Sequence, residues 1–336
     1  MLPEAVGSAH PNVVHLNDVA PRSRIFTRWD RARHHEIHWF TECVAEFLGV
    51  FLYCYAGLGS TAAWVIGNVL EEVGVSSVFQ IGISYAAGIV FAITICGATS
   101  GGIFHPGIAV ALTLFKGFPP GKALRYITAQ ILGGYVACLL VYVQYKHLLD
   151  QVDLAMAAAG VLEKLQFTPS GTAGIFGLYV APGSHLGQVF LNEFVTDVML
   201  TLVIWGSIDP TNIRIPPFVA PFTIAMAYAT AVWSYSVPGI ATNAARDVGG
   251  RLAALTIYGR EAHGGPYAAI AALTNVPATL FGVFLYEFFL ADAQRVIPAL
   301  NREYLSSHRD HGCLHEESQY TPSVERKQSI EMKESA

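Results

Sequence analysis

Charge is what this 336-residue sequence has least of. Asp, Glu, Lys and Arg make up 13% of it, against roughly 25% in a soluble domain. Hydrophobic residues reach 53% and mean hydropathy is +0.42. Several apolar runs approach 20 residues, the length that crosses a hydrocarbon core, which argues against a soluble enzyme and for a polytopic membrane protein. The net charge is -5 and no basic patch stands out, so no nucleic-acid partner is indicated. The five cysteines are Cys43, Cys54, Cys96, Cys138 and Cys313. Four fall in or beside apolar runs and one in the polar tail, so no disulfide framework is visible, and no C-x-x-C pair exists. There is no nucleotide-binding loop and no sign of energy coupling or of a cofactor. The opening MLPEAVGSAHPNVVHLND has no apolar signal-peptide core, which leaves the first span as its own targeting signal.

Two short stretches organise the rest. Ser100 to Ala111 reads SGGIFHPGIAVA, a Gly-rich turn that becomes a short apolar run after Pro106. Gly239 to Leu255, GIATNAARDVGGRLAAL, repeats the arrangement behind another long apolar run. Each holds about 10 helical residues, or about 15 Å at 1.5 Å per residue. That is half a bilayer core, so two such helices, one per half of the chain, can meet end to end at the midplane.

Taken in order, residues 1–37 form a polar tail, expected to be disordered, with Arg22, Arg24, Arg28, Arg31 and Arg33 just before the first span. That placement predicts a cytoplasmic tail. Spans are predicted at about His38–Gly59, Val78–Gly97, Leu124–Tyr145, Leu186–Trp205, Phe218–Tyr235 and Tyr267–Leu290, with a cytoplasmic tail over 292–336. Glu46 and Glu193 stand inside spans 1 and 4, where a carboxylate is costly unless it faces the protein and accepts hydrogen bonds. The connector Lys146–His185 reads as a short surface helix at Leu154–Leu165 followed by an ordered loop over the outer mouth, with a floppy linker as the alternative. Three spans per half, an odd number, make the two halves inverted copies: an all-α membrane domain over 38–291 of six transmembrane helices and two re-entrant half-helices.

At these residues the chain resembles the major intrinsic proteins, the aquaporin and aquaglyceroporin channels, over about Thr41 to Leu290. The family's first box, Ser-Gly-x-x-x-Asn-Pro-Ala, is SGGIFHPG here, with His105, Pro106 and Gly107 in the Asn-Pro-Ala places. Its second box, Asn-Pro-Ala-Arg, is Asn243, Ala244, Ala245 and Arg246. Glu46 and Glu193 match the family's glutamates of the first and fourth spans. The NVPA at Asn275–Ala278 is a decoy inside span 6 and reads as a local helix irregularity. The altered boxes and long polar tails resemble a divergent fungal or other microbial eukaryotic member.

The resemblance implies a passive pore for small neutral solutes, glycerol and water, with the boxes at its midpoint and Glu46 and Glu193 bracing the entry loops. It implies a filter of Tyr85, Ala231, Ile240 and Arg246, carried over by distance from the boxes. Water-selective members have a histidine where Ala231 falls, and Asp247 after the arginine is similar to the glycerol-conducting branch. Arg246 and the half-helix N-termini would exclude cations and protons. His105 is open to two readings, a neutral cap filling the midpoint or a pH-responsive aperture. A water-selective channel and a non-conducting structural or sensory member stay open as alternatives, and a coupled transporter would need Glu46 or Glu193 in its path. The resemblance also implies a homotetramer in a lipid bilayer, by default the plasma membrane. Tail hydroxyls, among them Ser306, Ser307, Ser323 and Ser329, are candidate phosphosites.

Overall fold

A computed structural model describes residues 19–20, 22–35 and 37–306. Ser307, Ser323, Ser329 and Cys313 lie outside the described residues. The chain divides into two bodies, Met1–Thr41 with Arg309–Ala336, and Glu42–His308. The first contains helix α1, Arg24–His35, where an irregular tail was expected. Its sequence, RIFTRWDRARHH, has no Gly or Pro to interrupt a helix.

The second body is helical throughout its described spans. Helix α2 covers His38–Val69, beginning in the first body, and α3 covers Val78–Ser100. The half-helix α4 follows at Pro106–Lys116, then α5 at Pro120–Ala158. Single turns α6, Leu162–Leu165, and α7, Ala173–Phe176, lie in the connector. The second half repeats the order with α8, Leu186–Ile208, α9, Ala220–Tyr235, and the half-helix α10, Ala244–Tyr258. The last span is α11, Tyr267–Leu273, continued by α12, Asn275–Leu285, and a wide π turn at Tyr286–Leu290.

Five of these spans are long and apolar enough to cross a membrane. The sixth, α9, has 16 residues, about 24 Å of helix. Pro216 and Pro217 precede it and Pro238-Gly239 follows it, which limits how far either end can extend. The irregularity expected at NVPA is present as the break at Thr274 between α11 and α12. The surface helix expected at Leu154–Leu165 is not a separate element. Leu154–Ala158 instead continues α5 as a 39-residue rod, and Gly160 at φ 68° ends it.

The packing is that of two inverted halves. Spans α3 and α9 lie against each other, α5 packs on the half-helix α10, and α12 packs on the half-helix α4. Small residues permit this closeness. A side chain at Gly134 on α5 would come within 3.0 Å of the Ala245 carbonyl, and one at Gly107 within 2.7 Å of Thr279 Oγ1 on α12. At the end of α8 the turn is closed by Asp209. Its Oδ1 accepts from the Thr211 N–H and hydroxyl, both at 2.8 Å, and its Oδ2 from Tyr286 Oη at 2.8 Å. Burial alone would raise this carboxyl, but these donors and the nearby Arg295 hold it below the usual range.

Candidate functional site

Each half-helix begins with a residue whose side chain accepts from its own first turn. His105 has extended backbone (φ -148°), and its Nδ1 accepts from the Ile108 N–H at 3.3 Å. Asn243 is extended too (φ -156°), and its Oδ1 accepts from the Ala245 and Arg246 N–H groups at 2.9 and 3.4 Å. Both are N-caps. Pro106 then supplies a preset φ at the first helical position, where Ala244 serves in the second half without it.

The remaining nitrogen of each cap crosses to the other half. His105 Nε2 lies 2.8 Å from the Thr242 carbonyl, and Asn243 Nδ2 donates to the Phe104 carbonyl at 2.9 Å. Phe104 and Thr242 are the residues just before the caps, and both have left-handed backbone, φ 47° and 57°. The two half-helix N-termini are therefore joined by a reciprocal pair of hydrogen bonds. The geometry also assigns the His105 tautomer: Nδ1 accepts, so the proton is on Nε2, where it is donated to Thr242. Protonating Nδ1 would set two N–H donors face to face. This is the geometry of a neutral cap.

The glutamates hold the entry loops from behind. Glu46 accepts from the Ile103 and Phe104 N–H groups at 3.0 and 2.8 Å, and from Ser100 Oγ and Gln130 Nε2 at 2.6 and 2.7 Å. Glu193 accepts from the Ala241 and Thr242 N–H groups, both at 2.7 Å. Both carboxylates are fully buried. In each half the glutamate thus takes the two backbone donors immediately before the cap, which keeps those donors satisfied in a low-dielectric setting. Neither glutamate lines the cavity described next.

A cavity of about 390 Å³ runs past both caps. Its wall includes the entry residues Gly101–His105 and Gly239–Asn243, together with Tyr85, Ile240 and Arg246. Arg246 is fixed by three hydrogen bonds. Its Nη1 and Nη2 donate to the Phe176 and Ile175 carbonyls at 2.6 and 3.2 Å, and its Nε to Tyr85 Oη at 3.2 Å. The connector is therefore ordered, and its turn α7 supplies the carbonyls that aim the guanidinium. Gly250 makes this possible, since a side chain there would meet the Phe176 carbonyl at 2.3 Å. Asp247 is buried and accepts from Arg251 Nη2 at 2.9 Å, which also donates to the Leu178 carbonyl at 2.6 Å. It braces the connector from behind and is not on the cavity wall.

Ala231 is fully buried in a cluster with Leu200 and Ala227, against which Met199, Tyr228 and Ile240 pack, and is not among the cavity-wall residues. On α9 the wall residues are Tyr228 and Val232. Counting back from Asn243 assumes no change of pitch through the turn after Tyr235, and an error of one residue rotates a helical position by about 100°. Hydropathy offered no signal for Tyr228 or Val232, because the lipid face and the cavity face of α9 are both apolar. Gly107 is explained by its neighbour: a side chain there would lie 2.9 Å from His105 Cε1. The larger cap and the smaller third residue go together.

Comparison with known proteins gives a consistent result. The family model described as major intrinsic protein matches residues 33–260. Aquaporin-3 of Laccaria bicolor is 55% identical over 309 residues, covering 90% of this chain and 93% of that one. Aquaglyceroporin-2 of Rhizophagus irregularis is 32% identical over 229 residues, covering 66% of this chain and 67% of that one. The X-ray structure of the aquaglyceroporin from Plasmodium falciparum superposes with a TM-score of 0.62 at 20% identity, over 75% of this chain and 97% of that one, a likeness of fold.

Proposed function

The chain belongs to the major intrinsic protein family, as an integral multi-pass channel for small solutes and not an enzyme, and on that premise we propose that it conducts glycerol-sized neutral polyols and water down their gradients. The observation that carries this reading is the cavity running past the two cross-bonded caps, with Arg246 held beside Tyr85. Helix N-termini carry unpaired N–H groups and partial positive charge, so their meeting point disfavours cations and turns a hydroxyl oxygen toward itself. Asn243 keeps one amide hydrogen beyond its bond to Phe104 and can offer it to the solute. Arg246 has its carbonyl partners on one side and the cavity on the other, which suits it to bind hydroxyls and repel cations.

The outer constriction in this proposal is Tyr85, Ile240, Arg246 and the α9 wall residues Tyr228 and Val232, in place of Ala231. Tyr85, Ile240 and Val232 give apolar contact to a carbon backbone while Arg246 takes the hydroxyls. The glycerol uptake facilitator of Pseudomonas aeruginosa, 34% identical over 63% of this chain, supports the polyol assignment. Both termini are assigned to the cytoplasm from the arginines before the first span, and the assembly is assigned as a plasma-membrane homotetramer with one pore per subunit.

Light-scattering relaxation of vesicles containing the purified protein tests the reading, first under a sucrose gradient and then under glycerol. Fast shrinkage in both and fast re-swelling in glycerol are expected. Fast shrinkage without glycerol entry would make it a water-selective channel. No flux above empty vesicles would make it a non-conducting member.

A further inference from the structure

The first body carries a surface that the pore does not use. Helix α1, Arg24–His35, is 12 residues long, about 18 Å. At about 100° per residue, Ile25, Phe26, Trp29 and Ala32 fall within about 120° of arc. Arg24, Arg28 and Arg31 fall within about 60° on the other side, with no acid among them. The apolar face is open: Ile25 is 78% exposed, Phe26 53% and Trp29 43%. The helix has one carboxylate, Asp30, and it is committed, pairing with Arg22 at 2.8 and 3.0 Å. Arg22 in turn lies 5.0 Å from the centre of the Phe26 ring, so this contact organises the start of the helix.

We propose that α1 lies in the headgroup region of an anionic leaflet, with Ile25, Phe26 and Trp29 turned into the acyl boundary and Arg24, Arg28 and Arg31 on lipid phosphates and carboxylates. Two features select a bilayer over a protein partner. Two residues separate the end of the helix at His35 from the start of α2 at His38, so a leaflet surface is always within reach at high effective concentration. The residue types are also those of an interfacial helix, with an aromatic-aliphatic face against an arginine stripe and a tryptophan at the boundary. Arg33 falls inside the apolar arc and is half-buried, with its Nε buried.

The test uses the full-length protein in nanodiscs of zwitterionic lipid alone or with anionic phosphatidylserine, read by hydrogen–deuterium exchange over residues 22–35. Exchange at least tenfold slower in the anionic discs is expected. Each arginine near such a surface contributes about fivefold in binding, so the triple variant R24Q/R28Q/R31Q should abolish the difference between the two lipids. The variant F26S/W29S should speed exchange in the anionic discs. Unchanged exchange in α3 and α8 serves as the control that each variant is folded. Equally fast exchange in both lipids would overturn the proposal in favour of a solvated helix. Equally slow exchange in both would overturn it in favour of a protein-covered one.

Discussion

Replacing His105 by asparagine should make the pore faster. The argument is a count of donors at the midpoint. A neutral imidazole has one N–H, and here it is spent on the Thr242 carbonyl. Asn243 has two amide hydrogens and spends one on the Phe104 carbonyl, leaving one for the solute. His105→Asn preserves the acceptor that caps α4 and the donor that reaches Thr242, and it adds a second free N–H. One hydrogen bond made to the passing solute is worth about 0.5–1.5 kcal/mol. If it lowers the barrier at the midpoint by that amount, the rate per channel rises about two- to tenfold. His105→Ala separates the two roles, because it loses the cap, at about 1 kcal/mol, and the cross-bond, at about another 1 kcal/mol. It should melt earlier without gaining flux by the same route. The assay is stopped-flow light scattering of vesicles, with rates divided by the number of channels. A His105→Asn variant that melts like the wild type and conducts no faster would refute the donor count.

Four further outcomes follow from the geometry. Gly250→Ala forces a side chain against the Phe176 carbonyl that holds Arg246; a thermal melt should show a loss of about 1–3 kcal/mol together with reduced flux. Gly59→Ala, with nothing within 4 Å of the added carbon, should stay within about 0.5 kcal/mol of wild type in the same melt. Val232→Phe should cut glycerol re-swelling more than tenfold, since Val232 is on the cavity wall and Ala231 is not; unaltered glycerol entry would return the α9 position to question. Asp209 has a depressed carboxyl, so its contribution to stability is present at neutral pH and is lost as pH falls through the folded-state value. Asp209→Asn should therefore melt below wild type at pH 7, with the gap closing as pH falls below the ordinary carboxylate value of 3.8; a gap independent of pH would contradict the assignment.

The spans and both half-helices were readable in the sequence because their signals are one-dimensional: apolar runs, a Gly-rich turn, and a cap followed by Pro106 or Ala244. Helix lengths were less readable. The rod α5 runs through Lys146–Ala158 because nothing breaks it before Gly160, whereas the hydropathy fell at Tyr145. The roles of Glu46 and Glu193 followed from the cost of a carboxylate in lipid, and their backbone partners in the two entry loops supply the bonds that argument required. What the sequence withheld depends on three-dimensional phase. Which apolar residues of α9 face the cavity is settled by rotation about its axis, and that placed Tyr228 and Val232 on the wall and Ala231 off it. The His105 proton is settled by two partners 137 and 3 residues away, which no local pattern records. The fixing of Arg246 by the connector carbonyls belongs to the same class.

The most direct test of the central claim is the initial rate of glycerol entry into vesicles as its concentration is raised, with and without a transbilayer proton gradient. A static pore between two cross-bonded half-helices has no step that must reset between solutes. The account predicts a rate proportional to the glycerol gradient up to high concentration and indifferent to the proton gradient. A rate that saturates at low glycerol, or that follows the proton gradient, would contradict it and make Glu46 and Glu193 coupling groups instead of braces.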